Sequence, residues 1–328
     1  MSRFLRCCVR GAIVSAVSLG LPAVAGAQGP AYLTQWGTQG TGNGQFETTA
    51  GVAVDASGNV YVADGGNYRV QKFSTGGAYI AQWGTGGTGA GQFQGPWGIA
   101  VDASGNVFVS DYLNNRIEKY MGGGTYVTQW GSSGTGNGQF SNPLGIAVDG
   151  AGDVYVPDEL NNRVQKFDSN GSYVGQWGTE GSGDGQFHNP SGVVVDGSGN
   201  VFVADRLNHR IQKFTAAGIF ISKWGTQGSG NGQFQDPVSL AVDASGNVYV
   251  TDITNNRVQA FTSGGAYVAG WGTPGAGNGQ FQLPYAVAVD SGGDIYVSDS
   301  NNSRIQKFAP LSTPTKTTSW GQLKSLFR

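Results

Sequence analysis

Gly91-Gln92-Phe93 is one of six copies of a tripeptide whose phenylalanines, Phe46, Phe93, Phe140, Phe187, Phe234 and Phe281, follow one another at a constant interval of 47 residues. A fixed period of this length, filled with short β-type runs and glycine turns, marks a propeller or solenoid array. The unit from Pro96 to Gly131 reads as four strands. Gly98-Ile99-Ala100-Val101-Asp102 lacks polar alternation, as a strand covered on both faces does. Ala103-Ser104-Gly105-Asn106 is a tight turn, and Val107-Phe108-Val109-Ser110 returns as a second strand of β-branched and aromatic residues. Asp111 to Asn115 is a second loop. Arg116-Ile117-Glu118-Lys119-Tyr120 alternates in polarity and predicts a third strand nearer the outside, and Thr125 to Trp130 supplies the fourth.

The remaining stretch, Gly131 to Pro143, is long for a loop, and it recurs in every unit. Phe140 and its equivalents are expected to plug the gap between neighbouring blades, each burial contributing roughly 1.5 to 3 kcal/mol. Four antiparallel strands per unit, linked by a long crossing to the next unit, describe an all-β, six-bladed β-propeller. Ala31 to Gly37 resembles a fourth strand but precedes the first complete set. It is expected to complete the last blade and so close the ring, removing an open sheet edge.

The chain ends divide the sequence further. Residues 1–27 read as a Sec-type export signal: Arg3, Arg6 and Arg10, then an apolar stretch to Val24, then Ala25-Gly26-Ala27. The propeller spans 31–309, and 310–328 is a tail that is either a competing strand around Trp320-Gly321 or an attachment tag. Cys7 and Cys8 lie within the signal, so the mature chain is cysteine-free and rests on its core rather than on disulfides. Losing the three arginines moves the formal charge from −2 to −5. No basic run exists to hold nucleic acid or an anionic membrane. A secreted, periplasmic or cell-surface monomer with no membrane insertion after cleavage is expected.

At Asn67-Tyr68-Arg69-Val70-Gln71-Lys72-Phe73 and Asn208-His209-Arg210-Ile211-Gln212-Lys213-Phe214 the repeat resembles the NHL repeat, whose pattern runs from a proline through Gly-Ile-Ala-Val-Asp, Gly-Asn, Tyr-Val-Ala-Asp and Asn-x-Arg. All six units resemble it, over roughly Ala31 to Phe308. Departures are Thr49 for the proline, Ala260 for the lysine, and Pro157, which interrupts the third unit's second strand. The resemblance implies a binding module, scaffold or sensor domain and, in relatives, metal-dependent lyases or RNA binders; it does not choose among them.

Asp64, Asp111, Asp158, Asp205, Asp252 and Asp299 each stand five residues before an arginine, Arg69, Arg116, Arg163, Arg210, Arg257 and Arg304. Equal numbers of opposite charge in every unit read as structural pairs that fix the intervening loop rather than as cation ligands. Asp55-Ala56-Ser57-Gly58-Asn59 reads as a hairpin turn, because Gly66 stands where a calcium loop needs its bidentate carboxylate.

What every unit shares is explained by folding, so candidates for function are positions where the units differ. The loop leading into the first strand and the loop after the second emerge on one face, and there the units diverge. Trp97, Tyr112, Leu144, Glu159, Arg206, Val238, Ile253 and Tyr285 are the candidate ligand-binding residues, for a peptide, protein or glycan. No catalytic residue, metal site or cofactor is expected: His188 and His209 are the only histidines, the inner strands carry no ligand before their terminal aspartates, and no nucleophile elbow or phosphate loop is present. The alternatives are a lactonase- or lyase-like metal-dependent hydrolase or lyase using aspartates such as Asp102 and Asp290, and a passive cell-surface structural module.

Overall fold

A computed structural model describes residues 29–311. The expected export signal and tail residues 312–328 lie outside the described residues. Six four-stranded antiparallel sheets follow one another along the chain. Blade 1 is Thr49–Val54, Val60–Asp64, Arg69–Phe73 and Tyr79–Trp83, and the later blades repeat that order. Blade 6 takes its outermost strand from the N-terminus: Tyr32–Trp36 pairs antiparallel with Arg304–Phe308, with Gln35 opposite Gln306 and Trp36 opposite Ile305. The ring is thus closed by the expected clasp.

The first strands line the axis. Val52, Ile99, Ile146, Val193, Leu240 and Val287 narrow it to a cavity of about 70 Å³. Between blades the predicted wedge is in place: all six Gly-Gln-Phe phenylalanines are fully buried. Phe46 joins Val52, Val60 and Phe73 of blade 1 to Ala286, Tyr296 and Ile305 of blade 6 in one cluster. Its ring lies 5.7 Å from that of Phe73. Gly37, at φ +106°, is required beside it, because a Cβ there would fall 2.6 Å from the Phe46 ring.

The long crossing is an ordered loop. In blade 1, Gly40 N–H donates to the Phe46 carbonyl and Phe46 N–H to that of Thr38. Arg69 anchors the loop from below: Nε donates to Asp64, Nη1 to the Thr41 carbonyl, and Nη2 to those of Gly42 and Gln45, all at 2.8 Å. Gln71 completes the hold, accepting from Gly44 N–H and donating to the Gln45 carbonyl.

One expectation is refined and one changes. The third strand lies outside the first two, as expected, but its glutamines do not face water: Gln71, Gln165, Gln212, Gln259 and Gln306 are fully buried and spend their amides on the crossing loop. Polar alternation there records buried hydrogen bonding rather than solvent. Pro157 does not interrupt its own strand, Val154–Asp158, in which it sits opposite Val164. The defect falls on the neighbouring first strand, reduced to Ala147–Val148. An imino acid has no N–H to give that neighbour, while its carbonyl still accepts from Leu144.

Candidate functional site

The Asp–Arg pairs occupy the same face as the candidate ligand residues and are structural in geometry. Arg Nε lies 2.6–3.1 Å from the aspartate in five blades and 3.4 Å in blade 2, and every aspartate is fully buried. Each pair also reaches its crossing loop; in blade 1, Asp64 accepts from Glu47 N–H, and Asn67 donates to both Asp64 and the Gly40 carbonyl. The pairs therefore hold the loops from which the unlike residues project.

Seven of the eight candidate residues converge. Trp97, Tyr112, Leu144, Glu159, Arg206, Val238 and Tyr285, joined by Ser191, line a pocket of about 170 Å³ at the mouth of the axis. Trp97 and Tyr285 follow the prolines that open the first strands of blades 2 and 6. Tyr112, Glu159 and Arg206 are the residues immediately after the aspartates that end the second strands. Ile253 stands at the equivalent place in blade 5 but is buried and outside the pocket. Leu144 and Val238 form buried floor rather than exposed surface.

The aromatic wall is continuous. The Trp97 centroid is 4.9 Å from that of Tyr285 and 5.5 Å from that of Tyr112, with interplanar angles of 82° and 69°. Edge-to-face contacts of this kind fix rings without help from hydrogen bonds. Tyr112 also lies against Gly95, where a Cβ would come within 2.3 Å of its ring.

Opposite the rings, Arg206 is clamped by a residue the unit comparison passed over, Asp236. Arg206 Nε and Nη2 donate to the two oxygens of Asp236 at 2.6 and 3.2 Å, and Nη1 lies 3.3 Å from Glu159 Oε1. Hydrogen bonding to Asp236 above all, against the cost of burial, raises the Arg206 pKa further and keeps it charged. Burial raises the Tyr285 pKa, with Asp236 and Tyr112 adding to the shift and Arg206 opposing it. The phenol is neutral at ordinary pH. A signal for Asp236 was available: the other units carry Thr48, Gly95, Asn142, Asn189 and Leu283 there.

The aspartates of the hydrolase alternative are held differently. Asp102 Oδ1 accepts the N–H groups of Ser104 and Asn106, and Oδ2 accepts Asn106 Nδ2. Asp290 Oδ1 likewise accepts from Gly292 and Asp294, and its Oδ2 from the Tyr296 hydroxyl. These are the expected hairpin turns. Among the described residues no three His, Cys, Asp or Glu side chains are grouped to hold a metal ion. His209 Nδ1 is engaged with the Gln235 carbonyl at 2.8 Å.

The NHL repeat model matches residues 50–73, 93–120, 140–167, 187–214, 234–261 and 281–308, one match per blade. The chain belongs to the NHL-repeat family. Among solved structures this NHL propeller is similar to a streptogramin B lyase, at 14% identity and a TM-score of 0.61 over 84% of this chain and 96% of that one. It is also similar to a putative gluconolactonase, at 15% and 0.60 over 85% and 94%. In the nidogen/laminin complex the likeness is 20% and 0.53 over 69% and 80%. At these identities the likeness is one of fold. A comparison with curated proteins gave no match.

Proposed function

We propose that this NHL propeller is an exported binding or scaffold module that takes its ligand at the mouth pocket. One observation carries the reading: of the eight residues singled out where the six units disagree on the mouth face, seven line a single cavity. Drift at unconstrained surface positions has no reason to gather three aromatic rings and a clamped guanidinium around one concave site. Trp97, Tyr112 and Tyr285 supply contact area at small entropic cost, and Arg206 with Glu159 sets polarity and orientation. The rigid loops beneath mean that little ordering is needed on binding. No described helix is long and apolar enough to cross a membrane.

A screen of purified protein against peptide, protein and glycan arrays tests this reading. Its hits should be lost in Trp97→Ala and in Tyr285→Ala, and hits retained by both variants would place binding elsewhere. The lyase and gluconolactonase likenesses support a second reading, metal-dependent catalysis on the same frame. Metal analysis with a lactone and ester panel separates the two, since chelator-sensitive turnover with a stoichiometric ion would favour the enzyme.

A further inference from the structure

Resting on the reading of the mouth as a ligand site, we infer that the ligand presents an organic ammonium group to Trp97, Tyr112, Tyr285 and Glu159. The pocket region holds two carboxylates, Glu159 and Asp236, against one guanidinium, so it carries a net charge of −1 around Arg206. Arg206 is already engaged by both acids and is poorly placed to receive an anion.

Glu159 is the open partner. It is 8% exposed, yet its only side-chain contacts, Asn189 Nδ2 at 3.4 Å and Arg206 Nη1 at 3.3 Å, both fall on Oε1. Its Oε2 accepts no hydrogen bond from the described residues, although the residue lines the pocket. A carboxylate oxygen that is open to the pocket and has no donor among the described residues favours a ligand that brings positive charge. The three rings act in the same direction, since the faces of Trp and Tyr attract cations, most strongly where water is excluded. Size agrees as well: about 170 Å³ is close to the cavity of about 150 Å³ that accepts benzene, enough for a trimethylammonium head or the end of a lysine chain.

Calorimetric titration of the full chain with choline and with 3,3-dimethylbutan-1-ol, its uncharged isostere, tests the inference. Choline should bind at least tenfold more tightly, less so at high salt, and Glu159→Gln should bring the two affinities together. Should Glu159→Gln fail to fold, Tyr285→Leu keeps apolar bulk, removes a π face, and should narrow the same ratio. A peptide bearing trimethyllysine then distinguishes a chain-borne ammonium from a free one. Equal affinity for choline and its isostere, or a ratio unchanged in both variants, overturns the inference. A ligand without an ammonium group that depends on Trp97 and is not displaced by choline also overturns it, and leaves the mouth standing as a binding site. Loss of no ligand in Trp97→Ala removes both readings.

Discussion

Two adjacent positions on the mouth face behave in opposite ways. Asp64, Asp111, Asp158, Asp205, Asp252 and Asp299 are identical and fully buried, and each pairs with its blade's arginine. One residue later come Gly65, Tyr112, Glu159, Arg206, Ile253 and Ser300, no two alike. A single step along the backbone passes from a side chain spent on holding the crossing loop to a position where side chains differ: Tyr112, Glu159 and Arg206 line the mouth, while Ile253 and Ser300 are buried. Repetition in this propeller is the mark of a folding task, and divergence next to it marks positions free to take on another.

Removing a member of the repeated set should therefore be costly. Arg163→Ala leaves the fully buried Asp158 without its cation and frees the carbonyls of Thr135, Gly136 and Gln139, with an expected loss of about 5 kcal/mol in denaturant unfolding. Phe187→Ala opens a cavity between blades 3 and 4 and should cost about 3–4 kcal/mol by the same measurement.

In blade 2 the third strand itself departs from the repeated network. Glu118 and Tyr120 replace the glutamine and phenylalanine of the other third strands, and the Tyr120 hydroxyl donates to Glu118. A carboxylate cannot donate to Asp111 and Gln92 as glutamine would. Arg116 Nη2 keeps its bonds to the Gly89 and Gln92 carbonyls and also lies against Glu118, while its Nε is left without a hydrogen bond. Burial, against hydrogen bonding from Tyr120 and the charge of Arg116, pushes the Glu118 pKa up to about 7 from 4.5. The folded chain keeps this proton where the unfolded chain gives it up, so the contribution of Glu118 to stability falls as pH rises from about 4.5 to about 7 and is level on either side. Glu118→Gln should abolish that fall. Melts at pH 4 and pH 8 should show the variant gaining on the wild type by roughly 2–3 kcal/mol at the higher pH.

The smallest stability effects belong to the divergent set. Trp97→Ala and Tyr285→Ala remove half-buried rings that support no crossing loop, and should each cost about 1 kcal/mol or less. A loss comparable to that of Phe187→Ala would show the mouth aromatics to be part of the core and erase the distinction.

The period of Gly-Gln-Phe made the blades, their strand order, the phenylalanine wedge and the N-terminal clasp legible, because each of these is a local pattern repeated in register. The mouth was legible for the same reason in reverse, as the places where the register carries unlike residues. What escaped depends on which side chains meet. Asp236 precedes the proline of blade 5 and reaches Arg206 of blade 4, a contact between units that comparison within a column does not reveal. The burial of the third-strand glutamines escaped too, since alternation in polarity does not distinguish water from buried carbonyls as the partner. Pro157 sits in the strand expected for it, but its missing N–H acts on the strand beside it.

The indole N–H signals of the tryptophans offer the most direct test that recognition belongs to the divergent residues. Trp36, Trp83, Trp130, Trp177, Trp224 and Trp271 sit between blades with buried nitrogens, while Trp97 alone among the described tryptophans lines the mouth. Titrating choline into nitrogen-labelled protein should shift the Trp97 indole resonance and leave those six in place. Movement of the six inter-blade signals with Trp97 unmoved would contradict the account.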